Sequence, residues 1–230
     1  MSPDRHVLDD VVWNALTSRQ AQVALGDGRR ALRFDPAFGV FAATADDGAE
    51  SLAALAALVR AHGDVALLQP AAAPCPQGLA VVSEAAGVQM VASALAPAEP
   101  PCFTVTDLTD DDGPEMLALA TLTEPGPFFA RTHQLGAFVV VKLDGRLVAM
   151  AGERMKPAGF TEVSGVCTHP DHRGRGYAGG LMRIVAGRIL ARGETPFLHA
   201  YASNTAAIAL YEALGFSLRT MVIMTRLTAA

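Results

Sequence analysis

Arg173-Gly174-Arg175-Gly176-Tyr177-Ala178 follows an apolar strand, Glu162 to Thr168, and opens a helix that runs from about Gly179 to Arg192. Glycines at such a turn take up φ angles that side chains forbid and let a ligand approach the backbone closely. The first turn of the following helix leaves N–H groups unpaired and carries partial positive charge, and together these hold anions. The stretch therefore points to a phosphate-bearing ligand.

Two ligand classes use this physics. Gly174-x-Gly176-x-x-Gly179 matches the dinucleotide fingerprint. That reading needs the glycines at the strand end and an acid closing the next strand, about 20 residues on. Here Pro170-Asp171-His172-Arg173 intervenes, and the next strand, Pro196 to Tyr201, ends in Ala202-Ser203-Asn204. Glu194 has the right separation but precedes that strand, and the remaining tail is too short for half of a doubly wound sheet.

The same residues also read as Arg-x-x-Gly-x-Ala, and with them the chain resembles the GNAT superfamily of acyl-CoA-dependent N-acyltransferases. The resemblance covers about Pro101 to Leu227 and is nearest to the FR47-like branch, relatives of the glycine N-acyltransferases. Glu162-Val163-Ser164-Gly165-Val166-Cys167-Thr168-His169-Pro170 is similar to the family's central strand and the proline that ends it. Asn204-x-x-Ala207-x-x-x-Tyr211-x-x-x-Gly215-Phe216 is similar to its last helix and the turn beyond. The fold implied is α/β, a mixed but mostly antiparallel central sheet flanked by helices.

Bulk properties agree with a cytoplasmic enzyme. With 230 residues and 51% hydrophobic content, the chain can bury a real core. A net charge of −5 argues against a nucleic-acid surface. The Met1-Ser2-Pro3-Asp4-Arg5 start lacks the apolar run of a signal peptide, and no apolar stretch nears the roughly 20 residues that span a bilayer. Cys75, Cys102 and Cys167 are odd in number and widely spaced, unlike a disulfide framework or a metal site.

Along the chain, Ala96-Pro97-Ala98-Glu99-Pro100-Pro101 reads as a linker between an N-terminal α/β half, 1–100, and a catalytic half, 101–230. In the first half the patterns predict a helix near Asp10 to Leu25, a strand near Gly39 to Thr44 and a helix near Ala49 to Ala61. Strands follow at Asp64 to Gln69 and near Val88 to Leu95. The β-α-β order resembles the second half of the same fold without its phosphate loop, either a degenerate copy or an unrelated α/β domain. If the first half mimics a second copy, a pseudo-dimer running as a monomer is expected, with a homodimer as the alternative. In the second half a strand is expected over Cys102 to Leu108 and a helix after Asp112-Gly113-Pro114. Next come a short helix ending near Leu135 and a hairpin, 137–143 and 146–154, around Asp144-Gly145. The strand Phe216 to Leu227 closes the sheet.

The resemblance implies roles residue by residue. Acetyl-CoA serves as co-substrate without a metal, and a small-molecule or peptide amine as acceptor, with neither nucleic acid nor membrane as a partner. The backbone of Arg173, Gly174, Arg175, Gly176, Tyr177, Ala178 and Gly179 cradles the pyrophosphate. The edge of Val166-Cys167-Thr168 pairs with the pantetheine arm, Val166 N–H polarises the thioester carbonyl, and Asn204 reaches the pantetheine amides. Tyr211 is the general acid to the thiolate, since a phenol with a pKa near 10 is protonated at neutral pH. Asn204 also suits a helix cap and Tyr211 simple packing. Strand alternation places Glu162, Ser164, Val166 and Thr168 on one face, which makes Glu162 the candidate general base. It stands 11 positions before Arg173, the interval some family members use for a catalytic glutamate. Glu153 and His169 are the alternatives. A Cys167–His169 nucleophilic pair and a metal at His169, Asp171 and His172 have less support: nothing orients the histidine, and no second cluster completes a metal site. The functional expectation is an N-acetyltransferase working by direct attack in a ternary complex. An idle acyl-CoA sensor or a dinucleotide-binding protein is the alternative.

Overall fold

In the computed structural model, which describes residues 5–230, the first half contributes two helices and five strands. The start at Met1-Ser2-Pro3-Asp4 lies outside the described residues. Helix α1 spans Val11–Leu16, and β1 (Ala24–Gly26), β2 (Ala31–Phe34) and β3 (Ala42–Thr44) form a small antiparallel sheet. Then come α2 (Ala49–His62), β4 (Val65–Gln69) and β5 (Leu79–Val91). The helix expected over 10–25 stops at Leu16. The Thr17 and Ser18 hydroxyls turn back to the carbonyls of Trp13 and Asn14, a side-chain competitor that ends helices. Helix α2 has Glu50 in its first turn, Arg60 and His62 in its last, and Gly63 at φ 82° closing it.

The second half runs β6 (Thr106–Asp107), α3 (Gly113–Thr123), β7 (Phe138–Leu143), β8 (Arg146–Glu153) and β9 (Phe160–Thr168). Helix α4 (Tyr177–Ala191), β10 (Thr195–Tyr201), α5 (Thr205–Leu214) and β11 (Ser217–Ala229) complete it. The strand expected over Cys102 to Leu108 shrinks to two residues, because Phe103 leaves the strand path and packs edge-on against Tyr177, with ring centroids 4.9 Å apart.

Eight strands join in one sheet in the order β4-β11-β5-β10-β9-β8-β7-β6. Only β9 and β10 run parallel in it. The sheet does not break where the proline-rich segment divides the chain: β5, from before that segment, lies between β10 and β11, and β4 flanks β11. Helix α4 covers one face through Leu181, Val185 and Ile189, packed on Val139, Val141 and Ala149. On the other face α3 covers β7 to β9 through Met116 and Leu119, while α1 and the small sheet cover Leu68, Phe197 and Val222.

Candidate active site

Strands β9 and β10 pair only from Thr195↔Phe160 to Phe197↔Glu162. Beyond that point β9 continues to Thr168 and β10 to Tyr201 without pairing to each other. Unpaired strand edges expose backbone donors and acceptors to any extended ligand. A cavity of about 290 Å³ occupies this opening, with Val163 to Val166 on one wall and Leu198 to Tyr201 on the other.

A bulge interrupts β9 at this wall. Met150 opposes Cys167 and Gly152 opposes Ser164, so one extra residue sits on β9, and Gly165 there has φ 63°. The ring of Phe138 requires small residues on both strands: a Cβ at Gly165 would lie 2.8 Å from it, and one at Gly152 2.3 Å. The extra residue changes which side chains share a face. Val163 and Val166 pack toward α4, whereas Cys167 joins the core beneath α3 with Met150. The expected single face of Glu162, Ser164, Val166 and Thr168 is therefore split, with Glu162 and Val166 on opposite sides.

The glycine loop forms as expected. Gly174 and Gly176 both have φ 75°, and the N–H groups of Gly174, Arg175 and Gly176 have no acceptor among the described residues. Helix α4 starts directly behind them, and its Ala178 and Met182 line the cleft. Arg173 and Arg175 are exposed, while the Tyr177 ring is buried against Phe103, leaving only the Tyr177 backbone for a ligand. Gly179 and Gly180 admit close neighbours: a Cβ at Gly180 would meet the Phe103 ring at 2.5 Å, and one at Gly179 would sit 3.4 Å from Leu210. These free amides, two exposed guanidiniums and a helix N-terminus fit a pyrophosphate.

Other expected residues divide by role. Asn204 lines the cleft and also caps α5, its Oδ1 accepting from Ala207 N at 3.2 Å. Tyr211 lines the cleft, and burial pushes its hydroxyl pKa up, so the phenol keeps its proton. Thr168 Oγ1 is buried without a partner. The Cys167 thiol is buried and pushed up to about 11, which leaves its backbone as the useful part.

The three candidate bases fare differently. Glu162 is fully buried, outside the cleft lining, with both carboxylate oxygens occupied. Arg154 Nε donates to Oε2 and Nη2 to Oε1, each at 2.8 Å, and Met155 N donates to Oε2 at 3.2 Å. His199 Nδ1 lies 2.8 Å from Oε1. Burial raises the Glu162 pKa, but Arg154 and His199 outweigh it and hold the group at about 2. Buried, paired and outside the cleft lining, Glu162 lacks the access that a direct base needs. Glu153 is buried between Lys156 Nζ and Arg192 Nη2, both at 2.8 Å. His169 belongs to the loop after β9, its Nδ1 accepting from Asp171 N at 3.3 Å. Among the described residues no three His, Cys, Asp or Glu side chains are grouped to hold a metal ion.

Sequence reading missed His199, which lines the cleft with Arg154. Gln89 Nε2 donates to Leu8 O at 2.9 Å and lies 2.9 Å from His199 Nε2, while Gln89 Oε1 accepts from Arg219. Those two partners orient the Gln89 amide, so His199 Nε2 is an acceptor and Nδ1 carries the hydrogen given to Glu162. The only local signal was a polar residue inside an apolar strand, and its partners come from 37 and 110 positions away.

Parted parallel strands above a glycine loop with free amides define an acyl-CoA-binding transferase fold. The FR47-like protein family matches residues 139–224. A GNAT-family protein from Novosphingobium aromaticivorans is 42% identical over 98% of this chain and 100% of its own, with a TM-score of 0.89. The chain belongs to the GNAT family of acetyltransferases. A GCN5-related N-acetyltransferase from Kribbella flavida shares the fold at 20% identity and TM-score 0.62, covering 93% of this chain and 95% of its own. A GCN5-related N-acetyltransferase-like protein from Streptococcus suis does so at 14% identity and TM-score 0.60, over 100% and 95%. A comparison with curated proteins finds no match. Among the described residues no helix is long and apolar enough to cross a membrane.

Proposed function

We propose that the protein transfers an acetyl group from acetyl-CoA to the nitrogen of a primary amine by direct attack, with both substrates bound in one cleft. The observation that carries this reading is the parting of β9 and β10 directly beside a loop of unpaired amides, with Tyr211 and His199 in the opening between them. The thioester supplies an acyl carbon already activated for attack. The amides of Arg173 to Gly179 bind the pyrophosphate, and the open edge of Val166 to Thr168 runs along the pantetheine arm with the Asn204 side chain. Val166 N–H, in the bulge and without a register partner on β8, polarises the carbonyl. The Tyr211 hydroxyl protonates the departing sulfur.

His199 Nε2 takes the proton of the incoming ammonium, Gln89 yielding its hydrogen bond as it does so. Glu162 is the positioning residue. Its carboxylate stays charged, holds Nδ1–H and stabilises the imidazolium as it forms, in the manner of an acid behind a catalytic histidine. A phenol and an imidazole in one cleft favour an enzyme over an idle acyl-CoA sensor. Three unpaired thiols and the acetyl-CoA requirement favour a cytoplasmic site of action.

We also infer that residues 1–100 are a degenerate copy of the catalytic half. In the first half β3-α2-β4-β5 follows the order of β9-α4-β10-β11 without a counterpart of α5, and a parallel bridge, Phe41↔Ala66, stands where β9 and β10 pair. The copy has Ala45-Asp46-Asp47-Gly48 before its helix in place of the arginine-glycine loop, so it repels phosphate. A monomer follows, because each half already supplies the other with a strand.

The test pairs ligand binding with turnover. Excess acetyl-CoA should raise the melting temperature by several degrees, as binding at about 100 times Kd stabilises by roughly 2.7 kcal/mol. Tyr211→Phe and His199→Gln should each lower kcat by about 100-fold or more and keep that thermal shift. Loss of shift and turnover together would strip either residue of its role. No shift in the native protein would overturn the transferase reading.

A further inference from the structure

Glu124 is out of place by every local rule. It follows α3 in the left-handed region, at φ 48°, a position that favours glycine or asparagine. A side chain there costs roughly 1–2 kcal/mol. Its carboxylate also stands at the negative end of the α3 dipole, where a cation is favoured. No hydrogen bond or ion pair to the carboxylate offsets these costs among the described residues, and Glu124 lines the cleft. Strain and adverse charge kept at a cleft point to function rather than to folding.

The remaining charges of the cleft are spent. Arg154 gives Nε and Nη2 to Glu162, and its guanidinium lies 4.9 Å above the Phe41 ring. Both ring nitrogens of His199 are taken up by Gln89 and Glu162. Phe41, Leu68, Val222 and Met224 make an apolar wall to the same cleft. A substrate carboxylate would meet only a guanidinium already neutralised by Glu162, and would face Glu124. An ammonium on an apolar body meets a free carboxylate and a wall that takes its carbon skeleton.

We propose that Glu124 receives the ammonium of the acceptor, and that the acceptor is an apolar primary amine without a carboxylate rather than an amino acid. This rests on the acyl-transfer reading. The ammonium docks at Glu124 as a charged group, with no covalent step, before losing its proton to His199.

Phenethylamine and L-phenylalanine share one body and differ by the carboxylate, which makes them the probes. Their dissociation constants should be measured by calorimetry on the full chain, with and without saturating coenzyme A. Phenethylamine should bind at least tenfold more tightly. Glu124→Gln should weaken phenethylamine about tenfold and leave L-phenylalanine unchanged or improved. Glu124→Gly should do the same while matching or exceeding the native melting temperature, since glycine relieves the backbone. Equal or tighter binding of L-phenylalanine, no binding of either probe, or amine affinity indifferent to both substitutions would overturn the proposal. The intended preference without acetyl transfer to phenethylamine would uphold the ammonium site and overturn the transferase reading alone.

Discussion

At Glu162 an acid suited by position to proton abstraction is the centre of a hydrogen-bond chain, Arg154–Glu162–His199–Gln89, continued by Arg219 to Asp9. Removing one partner from such a pair leaves a buried charge uncompensated, which costs about 3–5 kcal/mol. The pH dependence follows from the same contacts. The Glu162 pKa falls from 4.5 to about 2 on folding. A depressed carboxylate stabilises above its unfolded pKa, and that stabilisation is lost as pH falls through the folded value. Between pH 5 and pH 2 the native protein should therefore lose about 3 kcal/mol more stability than Glu162→Gln, a difference readable from urea unfolding at both pH values. Equal losses would remove Glu162 as the source. Tyr211 and Asn204 could be read from the sequence because their positions follow from one helix and its cap. Glu162 could not, because what occupies its oxygens is tertiary.

The elements around the cleft owe their shape to a few glycines. Gly165 carries the bulge that separates Glu162 from Val166, and strand alternation alone contains no sign of it, because the Phe138 ring that requires it comes from β7. The loop before α4 is the opposite case: its glycines, its arginines and the helix behind them are contiguous, so its conformation was legible. Gly176→Ala tests that loop. The added methyl has open space but meets φ 75°, so it should cost roughly 1–2 kcal/mol in stability. Acetyl-CoA affinity, measured by calorimetry, should fall about tenfold as the amides leave their cradle. An unchanged dissociation constant would mean that the loop does not bind the ligand. Helix α2 is closed by Arg33, 2% exposed, whose guanidinium reaches the carbonyls of His62 and Gly63 at 3.0 and 2.8 Å. A buried cation with no carboxylate partner is satisfied here by the negative end of the helix.

On the scale of the whole molecule, the proline-rich segment near residue 100 divides the chain but not the sheet. Strand β5 pairs with β10 over Gly87 to Val91 and with β11 along its full length, and its Gln89 reaches His199. Residues 101–230 expressed alone would lack the strand between β10 and β11 and leave Phe197 and Leu198 uncovered on that edge. That fragment should show no cooperative thermal transition by circular dichroism, whereas the full chain unfolds in one. A sharp fragment transition would show that the second half folds independently. The interlock also explains why the N-terminal half escaped functional reading. Its contributions, Gln89, Phe41 and Leu68, are single side chains whose meaning depends on a partner in the other half.

The sequence by itself determined the family fold, the glycine loop, the capping asparagine and the tyrosine in the cleft. Each is written in contiguous residues, where backbone conformation follows from glycine, proline and periodicity. Only the tertiary structure decided that Glu162 is buried and paired, that His199 faces the cleft and that Glu124 lines it with no ion pair among the described residues. Burial and charge pairing depend on residues brought together from distant positions, and the free energy of a carboxylate is set by those neighbours rather than by its place along the chain.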